Sequence, residues 1–366
     1  MKLKLSLFFI TVISLVGCGT TQTKLEISPT GLQQIVSHTA DIVIIPNIKS
    51  WQQSSKVFHG SVQQFCQAPN TPKLKQLQAD WRQLSLKWNQ TIMFDFGPLR
   101  DNLFSAKVNF VEPMRQRGKN YDSTVRSRLN QRLNDTKKLD RAYFAKLNFN
   151  LVGISALEQM VFSDFITKKT DSKAIVTNYR NNTRSCALLI GISELNLDNA
   201  NYVMTGWQKS PSANTISKKS GDMPAGSSYR DLFASGRLMN GEKSLTKLVF
   251  SMQDYLRYIK QRKLDGRLDA IYSGMTFKNM EAGLEAIESV FTAKETALSL
   301  QKYLQVSGKQ KVADAFLNTL NIAKKQAQAK DREAMKPTYS KLIKMLEKDI
   351  PKGLGVDFGM NFTDGD

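Results

Sequence analysis

The chain has 366 residues, with 52 lysines and arginines against 32 aspartates and glutamates, a formal net charge of +20, two histidines and three cysteines. It carries no HExxH, CxxC or GxSxG pattern and no phosphate-binding glycine loop, so no common motif marks a catalytic centre. The positive excess favours an anionic surface or an acidic partner, and with no zinc-finger or RNA-binding motif nucleic acid is not expected.

Residues 1–17, MKLKLSLFFITVISLVG, read as a signal peptide: Lys2 and Lys4, an apolar centre from Leu5 to Val16, then Cys18. Leu15, Val16, Gly17 and Cys18 match a bacterial lipobox, which predicts lipidation at Cys18 and removal of what precedes it; a plain membrane anchor is the alternative. Gly19 after the cysteine favours the outer membrane, facing the periplasm, and residues 18–28 form a polar tether.

A first helix is expected from Ser28 to Cys66, kinked or broken at Pro46. It carries His38 and His59, about six turns apart on a straight helix and so unable to share an ion. Cys66 and Cys186 are an even pair in an oxidising compartment and read as a disulfide, with two buried thiols as the alternative. After Pro69 to Pro72 a second helix sets Leu74, Leu77, Trp81, Leu84, Trp88 and Ile92 on one face, a core stripe. The run from Phe94 to Asn102, with Gly97-Pro98 and the charges Asp95, Arg100 and Asp101, is either a turn held by its own side chains or the wall of a site. A basic stretch from Arg115 to Arg132 reads as surface loop and short helix.

The third helix, about Asp140 to Phe165, contains LNFNLVGISALEQMVF. Leu147, Leu151, Ile154, Glu158, Val161 and Phe165 share one face, which places the Glu158 carboxylate on a core stripe where it needs a partner. Arg100 is the expected one, and hydrogen bonding, a metal or a proton is the alternative. Gly153, with Ala156 nearby, lets another backbone approach closely. A fourth helix is expected from Lys173 to Thr205, and the Ser-, Gly-, Pro- and Lys-rich stretch 206–229 reads as a linker.

In the second half, helices are expected over Asp231 to Lys263, Arg267 to Phe291, Ala293 to Val306, Lys311 to Gln328 and Asp331 to Lys348 with a kink at Pro337. Gly283 to Glu288, GLEAIE, echoes Gly153 to Glu158, GISALE. The tail Gly353 to Asp366 alternates glycine, apolar and oxygen-bearing residues and is expected to dock in a groove; Asp364 and Asp366 are outside candidates for a hard cation. Nowhere does period-2 alternation persist, so the expected fold is all-α: two up-down helical bundles, 29–205 and 230–366, with a cleft between them.

Together the lipobox at Cys18, the Trp81 to Trp88 helix leading into Phe96-Gly97-Pro98-Leu99, the Gly153 to Glu158 helix and Gly274 with its following helix resemble the imelysin-like family. Its signature is Gly-x-His-x-x-Glu; here Gly153 and Glu158 match, and Ser155 stands at the histidine. The ending Gly359 to Asp366 is similar to a histidine-less branch of periplasmic lipoproteins. The resemblance implies a link to iron uptake, with iron or another divalent metal as the implied cofactor, although a hydroxyl does not replace an imidazole as ligand or base. Three functions are compatible with it: a non-enzymatic lipoprotein that binds a ligand or partner, such as an iron-uptake or redox lipoprotein of the envelope; a metal-dependent peptidase; or a structural envelope scaffold. The candidate site is Gly153, Ser155 and Glu158 with Asp95 and Arg100.

Overall fold

The computed structural model describes residues 29–100, 106–112, 122–147, 151–208, 228–236 and 243–356, and every regular element among them is a helix. The fold is all-α. The signal and tether at residues 1–28, with Cys18, and the tail at 357–366, with Asp364 and Asp366, lie outside the described residues.

Helix α1 (Pro29–Thr39) passes through a π-helical turn, Ala40–Ile44, into α2 (Ile45–Gln67). The chain therefore stays helical where a kink or a break at Pro46 was expected, with a π turn in the place of a break. Proline lacks an N–H and its ring crowds the carbonyl four residues back, and the wider π turn just before it accommodates both defects. Asn70 then caps α3 (Thr71–Asn89), its side chain accepting from the Lys73 N–H at 2.9 Å. Trp81 and Trp88 are fully buried, and Trp51 of α2 lies against Trp88 with ring centres 4.8 Å apart.

Short helices α4 (Lys107–Val111), α5 (Asp122–Leu133) and α6 (Arg141–Ala145) precede α7 (Ile154–Phe162). The single helix expected over 140–165 is thus divided. Gly153 has φ 84° and ψ −172°, a conformation that only glycine adopts readily, and the chain cannot run through it as a helix. The helix expected over 173–205 is also two, α8 (Ser172–Asn181) and α9 (Thr183–Trp207). Asn182 between them caps α9 by accepting from the N–H groups of Arg184 and Ser185. The Cys66–Cys186 disulfide joins the end of α2 to α9, which pack along each other.

The flanks of the expected linker meet. Trp207 and Tyr229 lie with ring centres 5.0 Å apart, joined by Phe96 and Phe233, whose rings stack at 5.4 Å.

Beyond it come α10 (Tyr229–Ala234), α11 (Ser244–Tyr258) ending in a π turn at Ile259–Leu264, α12 (Thr276–Thr292), α13 (Leu300–Val306), α14 (Gln310–Gln328), α15 (Arg332–Lys344), a π turn at Met345–Asp349, and α16 (Ile350–Leu354). Pro351 comes after its π turn just as Pro46 comes after its own. Three expected boundaries move. The helix expected from Asp231 to Lys263 is two, α10 and α11; that expected from Arg267 begins only at Thr276; and that expected from Ala293 begins at Leu300, capped by Ser299. Residues 265–275 form a loop in which Ala270 and Gly274 have φ of 51° and 70°. Ala293, Lys294 and Glu295 are three successive left-handed residues with φ 46°, 53° and 67°. Each conformation costs about 1–2 kcal/mol. His38 of α1 reaches this turn through Thr296 Oγ1 at 3.0 Å.

The helices pack as two groups, α2, α3 and α9 in the first and α11, α12, α14 and α15 in the second, which meet where α3 crosses α12. There Ser85 and Asn279 exchange hydrogen bonds in a buried setting, Oγ to Oδ1 at 3.1 Å and Nδ2 to Oγ at 2.9 Å. The buried apolar residues form one cluster from Leu32 to Leu354, so the two groups share a core.

Candidate functional site

Along α7 every residue is buried except Ser155, which is half-buried. Glu158 is 3% exposed, and its Oε1 accepts from the backbone N–H of Ser273 at 2.8 Å and from the Ser273 hydroxyl at 2.7 Å. Ser273 belongs to the 265–275 loop of the second half. Its carbonyl accepts in turn from Arg82 Nε of α3 at 3.2 Å, while the Arg82 guanidinium lies 4.8 Å over the Phe162 ring. The motif carboxylate is therefore a strut between α7 and that loop. Gly153 serves it from the other end: a Cβ there would fall 2.5 Å from the Val111 carbonyl oxygen, so the glycine admits the end of α4 and starts α7.

The expected pairing of Glu158 with Arg100 is corrected. Arg100 grips Asp95, five residues earlier, through Nε to Oδ1 at 2.9 Å and Nη2 to Oδ2. The bidentate fork closes the Phe94 to Arg100 turn on itself, and Gly97 within it lets the Tyr229 ring approach. Asp95 and Arg100 thus hold a turn, and Ser155, Gly153 and Glu158 belong to a different contact.

A second buried polar cluster, not foreseen, fixes the same loop. Lys263 Nζ lies 2.9 Å from Glu112 Oε1 and 2.8 Å from Asp269 Oδ2, with the lysine side chain 1% exposed. Glu112 also accepts from Trp88 Nε1 at 2.6 Å and from the Tyr258 hydroxyl. Burial alone would strip Lys263 of its proton, yet Asp269 and Glu112 beside it hold its pKa well above the usual lysine range. Burial pushes Glu112 up, but the Lys263 charge and the hydrogen bonds from Tyr258, Lys263 and Trp88 bring it below the ordinary carboxylate value. Asp269 is raised, because burial outweighs the same lysine. Tyr258 is raised well above its usual value by burial and then by Glu112. The carboxylate with more donors is the one held below its ordinary range, and Asp269, with fewer, is the one raised. The sequence did hold a signal: Leu248, Met252, Tyr255, Ile259 and Lys263 run at helical spacing, a lysine ending a core stripe. A third anchor is Arg126 Nη2, 2.8 Å from the Tyr272 hydroxyl.

Two points of one loop, Tyr272 and Ser273, are thus held directly by groups of the first half, and a third, Asp269, is tied to Glu112 of that half through Lys263. Such an arrangement fixes a loop rigidly, and the Ser273 hydroxyl within it is bound both to Glu158 Oε1 and, at 3.1 Å, to the Ala270 carbonyl. A divalent metal fits this donor set poorly: Ser155 offers a hydroxyl where an imidazole would bind, and Glu158 Oε1 already takes two hydrogen bonds. Among the described residues no three His, Cys, Asp or Glu side chains are grouped to hold an ion. His59 bonds Ser193 Oγ at 2.8 Å through Nδ1, and burial lowers its pKa. In the echo segment, a Cβ on Gly283 would collide with the Tyr255 hydroxyl, and Glu288 pairs with Lys324 at 2.7 Å. The echo is one of small-residue packing, with its glutamate less deeply placed than Glu158.

Compared with known proteins, residues 44–349 match the peptidase family model described as imelysin. No curated protein sequence matches the chain. Two solved structures share the fold. An imelysin-like protein from Psychrobacter arcticum is 16% identical with a TM-score of 0.64, over 92% of this chain and 99% of that one. A Parabacteroides distasonis protein assigned as an iron-regulated protein A precursor is 14% identical with a TM-score of 0.55, over 90% of this chain and 94% of that one.

Proposed function

The chain belongs to the imelysin family, and from that premise we propose that it is a lipid-anchored envelope protein that binds a ligand or partner in iron acquisition without hydrolysing it. The observation that carries this reading is the state of the motif carboxylate. In a metallopeptidase of the family's type a glutamate at this place would work beside the motif histidine, as a ligand or a base. Here Glu158 Oε1 receives both the N–H and the hydroxyl of Ser273, and the imidazole position is Ser155. The motif is spent on joining the two halves of the molecule. The iron connection is supported by the name of the Parabacteroides protein, whose fold this chain shares. Anchoring at Cys18 and a place on the periplasmic side of the outer membrane rest on the lipobox in the sequence.

Calorimetric titration of the purified protein with ferrous iron, ferric iron and haem, beside growth of a deletion strain on limiting iron, tests the reading. Binding of one of these, or an iron-dependent growth defect, supports it; neither would overturn it. Elemental analysis and a chelator-sensitive peptidase assay address the hydrolytic alternative. The Ser155→His variant is the matching control, since it supplies the family imidazole on the half-buried side of α7.

A further inference from the structure

Lys341, Lys344, Lys348 and Lys352 succeed one another at spacings of three, four and four along α15, the π turn and α16, and all four are exposed. That spacing places them on one side of the helical rod. The other side is the buried one, with Leu342, Met345, Leu346 and Ile350 in the core. Among the described residues none of the four lysines makes an ion pair, in contrast to Lys260, Lys263, Lys324 and Lys336, each of which has a carboxylate within 2.9 Å. Glu347, inside the same segment, is drawn off to Arg257 at 2.6 Å, and Asp349 is the carboxylate that stays exposed beside the stripe.

The stripe extends past the end of α16. A Cβ on Gly353 would lie 3.9 Å from the Lys309 side chain, so exposed Lys309 lies near the end of α16 that carries Lys352. Just before it Val306 is 41% exposed, and Gly308, at φ 72° with nothing within 4 Å of its Cβ position, turns the chain in the open. Like charges at neighbouring helical positions work against the fold, and Asp349 is one carboxylate beside four lysines.

We propose that this face docks on an anionic phospholipid surface, with Lys309, Lys341, Lys344, Lys348 and Lys352 on the phosphates and Val306 entering the headgroup layer. An extended row of point ammonium charges with one apolar residue at its end suits a charged lipid sheet. A folded acidic partner would call for an apolar centre within the patch, and interfaces of that kind are poor in lysine. The net charge of +20, which is +18 without Lys2 and Lys4 of the signal, draws the whole molecule toward such a surface. This inference stands apart from the iron reading and would survive its failure.

The test is sedimentation with phosphatidylcholine vesicles, with and without phosphatidylglycerol, using the chain from residue 19 onward so that no acyl group contributes; the segment removed lies outside the described fold. Binding is expected only with phosphatidylglycerol and is expected to weaken with salt. Changing Lys341, Lys344, Lys348 and Lys352 to Gln should lower partitioning roughly five-fold per lysine. A control with the same loss of charge, Lys56, Lys75, Lys138 and Lys146 each changed to Gln, should keep most of the binding. All these positions are exposed, and circular dichroism verifies that both variants are folded. No phosphatidylglycerol-dependent binding, or an equal loss in the control, would overturn the proposal.

Discussion

Replacing Lys263 with Met separates the buried cluster from any general effect of surface charge. The lysine is 1% exposed and sits within 2.9 Å of both Glu112 and Asp269, and Met keeps most of its volume while removing its charge. Two carboxylates then face one apolar space with no cation. Removing one member of a buried ion pair costs about 3–5 kcal/mol, a large part of the roughly 5–15 kcal/mol that holds a typical domain together.

The pH dependence gives the sign. Glu112 has a folded pKa below its unfolded value, so its contribution is present above the unfolded value near about 4.3 and fades as pH falls through the folded one. Lys263 is raised, so its contribution is complete below its unfolded value near about 10.4 and is lost only as pH rises through the folded one. Asp269 is raised as well; ionising it costs stability as pH rises through its own unfolded and folded values. In Lys263→Met both carboxylates lose the cation, their folded pKa values climb, and acid relieves the variant by protonating them. Its deficit against wild type should be about 3–5 kcal/mol at pH 8 and should shrink steadily toward pH 4.5. Urea unfolding monitored by far-UV circular dichroism at pH 8, 6 and 4.5 measures this. A deficit under about 1 kcal/mol at pH 8, or one that does not change with pH, would refute the reasoning.

Four further outcomes are expected. Gly153→Ala should destabilise by about 3 kcal/mol in thermal melts, since alanine must hold a glycine-only conformation and also displace the Val111 carbonyl 2.5 Å away. Glu158→Gln retains an acceptor for Ser273 and should cost about 1–2 kcal/mol, whereas Glu158→Ala leaves a buried N–H unmet and should cost more; equal losses in denaturant titrations would contradict the strut. Lys294→Gly relieves a left-handed residue at an exposed position and should raise stability by up to about 1 kcal/mol, read as a higher melting temperature. Reducing the Cys66–Cys186 bridge, which spans 120 residues, should lower stability by about 2–4 kcal/mol in calorimetry with and without reductant.

How much could be read in advance depends on how locally each feature is encoded. Helical class rests on 3.6-residue periodicity, and the disulfide on an even cysteine count behind a sequence that reads as an export signal; neither needs tertiary knowledge. The left-handed turn at Ala293 to Glu295 had no such mark, because none of its residues is one that favours that conformation. The end of the π turn at Lys263 was legible in principle, as a lysine on an apolar stripe, by the same rule that singled out Glu158. Glu158 itself shows where such reading stops. The burial of its carboxylate is set by spacing within α7, and hydrogen bonding is one of the ways to satisfy it, but a named partner can be picked only among side chains, since backbone donors are indistinguishable in a sequence. The donors that meet Glu158 Oε1 are a backbone N–H, which almost every residue carries, and a serine hydroxyl more than a hundred positions away. An Arg100 partner would have made Glu158 one half of a movable pair. A backbone partner makes it part of the loop's own conformation, so a change at Glu158 should be felt first in the geometry of residues 265–275 and only through them at any ligand.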